Sequence, residues 1–327
     1  MKKRKFGKIG WEVSEIGLGS WAMGADWGEV SEADAKNILK TSFENGVNFI
    51  DTADVYGDGR SEKFVGEFIN STSERIYVAT KAGRRINPHE AEGYYDINLM
   101  KSYVDRSLQN LNVETIDLLQ MHCPPTEVYS HDLTYEMLDH LVTEGKIQHY
   151  GFSVQTVEEA IACINRPHTK SVQIIFNMLR LKPAEEFFKK AKDKNIAIIV
   201  RVPLASGLLT GKMNSNSTFP ENDHRNYNIK GDAFDVGETF SGVDFNKALK
   251  VVEELKLITP DDFSLSQLAL KWILMHDAVS VVIPGAKNPD QALDNISASS
   301  LPNINDLMKQ IEDIYTAHLK DDIHPRW

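Results

Sequence analysis

Apolar runs alternate with amphipathic segments along almost the whole chain. Eight short runs are nearly continuous in Val, Ile and Leu: residues 16–19, 47–51, 76–81, 116–122, 147–153, 172–177, 196–200 and 279–283. Runs of this length, bounded by turn residues, read as strands buried on both faces. Helical periodicity fills the gaps. The pattern predicts helices over 31–44, 98–111, 133–144 (ended by Gly145), 184–193, 245–257, 265–276 and 290–296, with two more opening at the cap candidates Ser61 and Thr156. Ser31 with Asp34 three residues on forms a capping box with the shorter acid. Residues 1–15 read as a short hairpin, Lys5-Phe6-Gly7 turning back into Trp11-Glu12-Val13.

Eight strand–helix units in one chain predict a parallel (β/α)8 barrel of the TIM type, α/β in class, a single domain over 1–327 with the short hairpin in front. A doubly wound dinucleotide fold would need Gly-x-Gly-x-x-Gly after the first strand. The chain has Gly17-Leu18-Gly19-Ser20-Trp21-Ala22-Met23-Gly24, whose third glycine is misplaced and whose Trp21 would crowd a pyrophosphate. Two segments fall outside the repeat: a Gly-, Asn- and Asp-rich loop at about 213–243 and a tail at about 301–327. Loops this long are functional or mobile.

Composition narrows the class. The chain has 327 residues, 42% hydrophobic and 25% charged, an ordinary globular balance. Two cysteines, Cys123 and Cys163, make no disulfide framework and predict a reducing, cytoplasmic setting. The basic start Met1-Lys2-Lys3-Arg4-Lys5 leads into no apolar signal core, and no run of about 18 apolar residues suits a membrane. A net charge of −11 argues against nucleic acid as a partner, which needs a cationic face, but leaves room for a local cationic pocket. Oligomeric state is not legible.

The chemistry gathers at strand ends. Asp51 ends the second strand and Tyr56 follows on its loop; Lys81 ends the third and His122 the fourth. A barrel puts its active site at the C-terminal ends of its strands, so the four side chains can converge. Together they suit carbonyl reduction. Tyr56 would give a proton to the carbonyl oxygen, the Lys81 ammonium would lower the phenol's pKa, and Asp51 would hold Lys81 charged. His122 would donate to the same oxygen. Each alone has a plainer reading: a turn-forming Asp, a solvated Lys, a structural His, a packing Tyr. A glycosidase would need two carboxylates flanking the bond, and none of the ten histidines forms a His-x-His metal pair, so no metal is predicted. The loops after strands seven and eight, Leu204-Ala205-Ser206-Gly207-Leu208-Leu209-Thr210-Gly211-Lys212 and Ile283-Pro284-Gly285-Ala286-Lys287-Asn288, are phosphate-binding candidates.

Arg4-Lys5-Phe6-Gly7, Ile16-Gly17-Leu18-Gly19-Ser20-Trp21, Asp51-Thr52-Ala53-Asp54-Val55-Tyr56-Gly57, Ser61-Glu62 and Ala79-Thr80-Lys81 occur in order along the chain. With the segment from Leu108 to Asp117 they resemble bacterial aldo-keto reductases, from about residue 4 to about residue 300. The resemblance implies NADP(H) as cofactor, a small carbonyl compound as substrate, Asp51, Tyr56, Lys81 and His122 as catalytic residues, and the hairpin as a plug at the barrel bottom. It implies that Ser153 and Gln173 bond the carboxamide, that Phe176 stacks on the nicotinamide, and that Lys287 meets the 2′-phosphate with Gln291 and Asn295 on the adenosine half. Ser20, Trp21, Asp51, Leu204, Ser206, Gly207, Leu209, Lys212 and Gly285 complete the cofactor set, and Trp21, Trp27, Tyr56 and His122 line the substrate pocket. Three positions depart from the family pattern: Val154 stands where Asn is common, Phe176 where Tyr is commoner, and Cys123 follows His122. An alternative that the same resemblance allows is a nucleotide-binding regulatory subunit of a larger complex.

Overall fold

Eight parallel strands lie side by side in chain order, the outcome expected when each consecutive pair is joined by a helical crossover. The computed structural model describes residues 1–24 and 30–327. A hairpin of β1 (Lys3–Phe6) and β2 (Trp11–Ser14) precedes the barrel. The barrel strands are β3 (Leu18–Gly19), β4 (Phe49–Asp51), β5 (Tyr77–Ala82), β6 (Ile116–His122), β7 (Ile147–Ser153), β8 (Ser171–Ile175), β9 (Ala197–Arg201) and β10 (Val279–Val282). Parallel bridges Ile16–Val282 and Gly19–Gly285 bring the first strand onto the last and close the ring. The fold is a (β/α)8 barrel, as the alternation predicts.

The helices follow their sequence signals closely. Ser31 caps α1 (Glu32–Glu44) by accepting from Asp34 N at 3.1 Å. Asp96 caps α3 (Ile97–Leu111). Thr156 and Glu159 form a reciprocal capping box on α5 (Val157–Ile164). One expected cap is wrong. The helix after β4, α2 (Arg60–Ile69), is capped by Gly59, and Ser61 lies inside it. Its hydroxyl is buried and bonds Ser20 Oγ at 2.7 Å and Thr52 Oγ1 at 2.9 Å. A buried polar group needs such partners more than the helix needs that cap. Helices α4 (Asp132–Thr143), α6 (Phe187–Asp193), α8 (Phe245–Leu257), α9 (Leu265–Leu274) and α10 (Pro289–Ser297) complete the crossovers. The long loop carries the single turn α7 (His224–Tyr227), and the tail folds into α11 (Asn305–His318) and α12 (Lys320–Ile323), helices the sequence reading left unassigned.

Period-two alternation sorts the strand residues into two cores. Outward positions such as Val172, Ile174 and Phe176 join the large cluster under the helices. Inward positions Phe49, Ala79, Leu118, Ala197, Ile199 and Val281 fill the lumen with Phe6 and Val13 of the hairpin. The hairpin therefore plugs the N-terminal end of the barrel. Gly7 makes this approach possible: its φ is +48°, and a Cβ there would sit 2.5 Å from Ala197 N.

Candidate active site

The same alternation carries polar residues upward on inward positions. Asp51, Gln120 and Gln173 come from β4, β6 and β8, alternate strands contributing one layer. Gln173 Nε2 donates to Asp51 Oδ2 at 2.7 Å and Gln120 Nε2 donates to the same oxygen at 3.0 Å. Asp51 Oδ1 accepts from Lys81 Nζ at 2.5 Å. The lysine also donates to Thr52 O at 2.8 Å and to Tyr56 Oη at 3.1 Å, and its ammonium lies 4.8 Å from the Tyr56 ring centroid. His122 stands edge-on to Tyr56, ring centroids 6.0 Å apart. The four strand-end residues singled out in the sequence thus converge on one mouth.

Their electrostatics follow from burial and neighbours. Burial opposes the Lys81 charge, but Asp51 and Tyr56 outweigh it and raise the lysine's pKa. Burial, then Arg84, Lys81 and Arg201, push His122 well below its ordinary value, so it is neutral. Its Nδ1 makes no hydrogen bond within the described residues. For Tyr56 the expectation of a lowered pKa is not met. Burial raises it more than Lys81 lowers it, and Asp51 offsets part of the lysine's effect. Its ring keeps partial solvent access, which tempers that rise.

Trp21 stacks on Tyr56 at 6.0 Å and meets His224 at 4.8 Å, forming a wall of the mouth. Trp27 lies outside the described residues. Ser20 is engaged inward, its hydroxyl donating to Asp51 O at 2.8 Å. Ser153 Oγ accepts from Cys123 Sγ at 3.4 Å, beside His122.

Phe176 is not at the mouth. It is fully buried among the helices, stacked on Trp272 at 4.8 Å and edge-on to Phe188 and His276. Counting by twos from inward Gln173 turns position 176 outward, which rules out a stacking platform there.

The loop after β9 runs through left-handed residues Val202, Ala205 and Ser206, with φ of +51°, +46° and +56°. Strain of this kind concentrates at functional sites. Ser206 Oγ is already committed, donating to Glu238 O at 3.1 Å and accepting from Phe240 N at 3.1 Å. Leu209 packs in the core, Leu204 and Gly207 are half-buried, and Lys212 is exposed. After β10, Gly285 is open: an added Cβ would meet only Gly19 O, at 3.7 Å. Lys287 precedes Asn288, which caps α10 by accepting from Gln291 N at 2.9 Å. Burial, then Arg225, lowers the Lys287 pKa, while Asp223 opposes. Asn295 Nδ2 donates to Gly285 O at 3.1 Å, and Gln291 Oε1 accepts from Lys287 N at 2.9 Å. The open glycine and the helix N-terminus beside a lysine fit a phosphate-bearing ligand.

Four residues of the mouth escaped the sequence reading: Gln120, Arg84, Arg201 and Glu238. Gln120 was visible as a polar residue at an inward position of an apolar run. Arg201 is one residue past the expected end of its strand, on the inward phase. Arg84 follows Gly83, whose φ of +117° and contact with the Tyr94 ring admit no side chain. Among the described residues no group of three or more His, Cys, Asp or Glu could hold a metal, and no helix is long and apolar enough to cross a membrane.

The family model described as Aldo/keto reductase family matches residues 15–316. An uncharacterized oxidoreductase of Bacillus subtilis, YqkF, is 30% identical over 99% of this chain and 98% of its own. Among solved structures, the glycerol dehydrogenase AKR11B4 from Gluconobacter oxydans superposes with a TM-score of 0.78 at 26% identity, over 100% of this chain and 98% of that one. The holo aldo-keto reductase AKR11C1 from Bacillus halodurans gives a TM-score of 0.76 at 27% identity, over 99% of each chain.

Proposed function

Because the chain belongs to the aldo/keto reductase family, we propose that it reduces an aldehyde or ketone with NADPH, Tyr56 giving the proton. The observation that carries this reading is the chain of contacts from Asp51 through Lys81 to the Tyr56 hydroxyl, set beside a neutral His122. A dinucleotide would be held by the loops after β9 and β10, with Lys287 and the N-terminus of α10 toward its phosphates. Bound there, the reduced nicotinamide supplies a hydride to the carbonyl carbon.

The protein's own residues handle the oxygen. As the C=O π bond breaks, negative charge gathers on that oxygen. Tyr56 Oη transfers its proton to it, and the phenolate left behind is stabilised by the Lys81 ammonium. Asp51, clasped by two amides, keeps Lys81 charged and aimed. His122 donates a hydrogen bond to the oxygen and orients the substrate. The raised Tyr56 pKa keeps the phenol protonated before reaction, and the charge developing on the substrate draws the proton across.

A nucleotide-binding regulatory subunit is the weaker alternative, since binding alone has no use for a buried ammonium aimed at a phenol. The test follows NADPH absorbance against a panel of aldehydes, ketones and sugars, with product identified. Turnover by wild type and none by Tyr56→Phe, with NADPH still bound, is the expected result. No turnover on any carbonyl class rejects the reading.

A further inference from the structure

Three charged side chains outside the Tyr56–Lys81–Asp51 relay meet over the same mouth. Arg201 is the inward last residue of β9 and Arg84 lies on the loop after β5; both guanidinium groups face Glu238 of the long loop. Arg84 Nη2 ion-pairs with Glu238 Oε1, which also accepts from Gln155 Nε2 at 2.8 Å. Arg201 Nη1 stands farther off, 3.7 Å from that oxygen. All three side chains are largely buried, with relative exposures of 18% for Arg84, 10% for Arg201 and 6% for Glu238.

The charges do not balance. Lys81, Arg84 and Arg201 are positive, Asp51 and Glu238 are negative, and His122 is neutral. One positive charge is left over beside the position where the carbonyl would sit. A donor is left over too: Arg201 Nε is buried without a hydrogen bond among the described residues, and so is His122 Nδ1, which donates or accepts according to its tautomer. Arg201 Nη2 already donates to Val154 O and Gln155 Oε1, at 3.0 Å each, so the surplus is in net charge and in Nε. A surplus buried charge and an unmet buried donor both cost stability unless a ligand meets them. Glu238 shows which ligand chemistry the place accepts. A carboxylate there is gripped by guanidinium and amide donors, and burial's upward push on it is overcome by Arg84 and Arg201, which hold its pKa down at about 2.

We propose that the mouth selects carbonyl compounds that themselves carry a carboxylate, oxo acids and carboxy-aldehydes, with Arg201 and Arg84 as the residues that set this preference. The inference rests on the reductase reading and deepens it. The net charge of −11 repels such substrates at long range, so the preference is local and comes from these two side chains.

The test compares para-carboxybenzaldehyde with para-carbamoylbenzaldehyde, the same ring and reach with and without charge. Wild type should favour the carboxylate in kcat/KM by about tenfold or more, the scale of one charge-assisted hydrogen bond. Arg201→Met and Arg84→Met should each bring that ratio toward one, Arg84→Lys should keep part of it, and Glu238→Gln should raise it. Equal use of the two aldehydes by wild type overturns the proposal, as does a ratio unmoved by both Met variants. Calorimetric binding of the two aldehydes to wild type with NADP+ gives a readout that needs no turnover. Selective binding of the carboxylate supports the anion site even where neither compound is reduced, and the reductase reading then falls only if the wider carbonyl panel also gives no turnover; equal binding would sink the anion site.

Discussion

Asp54 is a buried carboxyl two residues before Tyr56, and its charge state can be read through stability. Arg85 Nε lies 3.1 Å from Oδ2, yet neither carboxyl oxygen receives an aligned hydrogen bond. Burial raises its pKa to about 7, against the pull of Arg85 and with a further push from Glu62. In the unfolded chain the same group titrates near about 3.9. Between these values the folded protein holds a proton that the unfolded chain has lost. The associated stability is complete below about pH 4 and is lost as pH rises through about 7. The gap of roughly three units corresponds to about 4 kcal/mol at about 1.4 kcal/mol per unit, and local relaxation brings the expected effect nearer 2 kcal/mol. Asp54→Asn keeps the shape and removes the titration. The stability of the variant relative to wild type should rise by about 2 kcal/mol between about pH 4 and about pH 8.5, from whatever offset the substitution itself sets at about pH 4, measured by urea unfolding at a series of pH values. Titrating groups distant from Asp54 cancel in the difference. A difference that does not change with pH, or one that grows toward acid, refutes the argument.

Three further outcomes are expected. Tyr56→Phe should lower carbonyl reduction by about 10²–10⁴-fold with NADPH affinity intact, checked by steady-state rates and cofactor fluorescence; activity within a few-fold of wild type removes Tyr56 as donor. Lys81→Met strips the cation from a buried pair, so it should abolish the pH dependence that Lys81 imposes on reduction and cost about 3–5 kcal/mol of stability; an unchanged pH–rate profile removes the Lys81–Tyr56 pairing from the mechanism. Lys287→Ala should weaken NADPH by about 10–150-fold and spare NADH, with the gap between the two cofactors in wild type narrowing as salt rises; equal loss of both in a titration removes Lys287 from the 2′-phosphate.

The barrel was legible because parallel strands buried on both faces must be apolar throughout and their crossovers must be amphipathic. That pattern is local and survives without neighbours. Asp51, Lys81 and His122 were legible for the same reason, as polar interruptions at the ends of apolar runs. For Phe176 the motif and the strand phase disagree, and the phase decides: two steps from Gln173 reach an inward position, and three reach the helices. Arg201 was missed by one residue of strand length. Glu238 was beyond local reading altogether. Nothing within its own loop signals a partner, and its meeting with Arg84 depends on the whole barrel closing first. The Tyr56 acidity was misjudged because a lysine's effect can be guessed from sequence, whereas the desolvation that opposes it requires knowing what covers the ring.

The layer formed by Asp51, Gln120 and Gln173 divides the lumen into two compartments. Below it lies an apolar plug of Phe6, Val13, Phe49 and their neighbours, and above it lie the reacting groups. The two compartments therefore answer to different selective demands. The lower one is free to drift, trading Phe6 or Val13 for other shapes of equal volume, because the amides above hold Asp51 whatever fills the base. An engineer could raise the melting temperature by repacking that plug and leave turnover untouched, a separation that the usual contest between robustness and activity rarely allows.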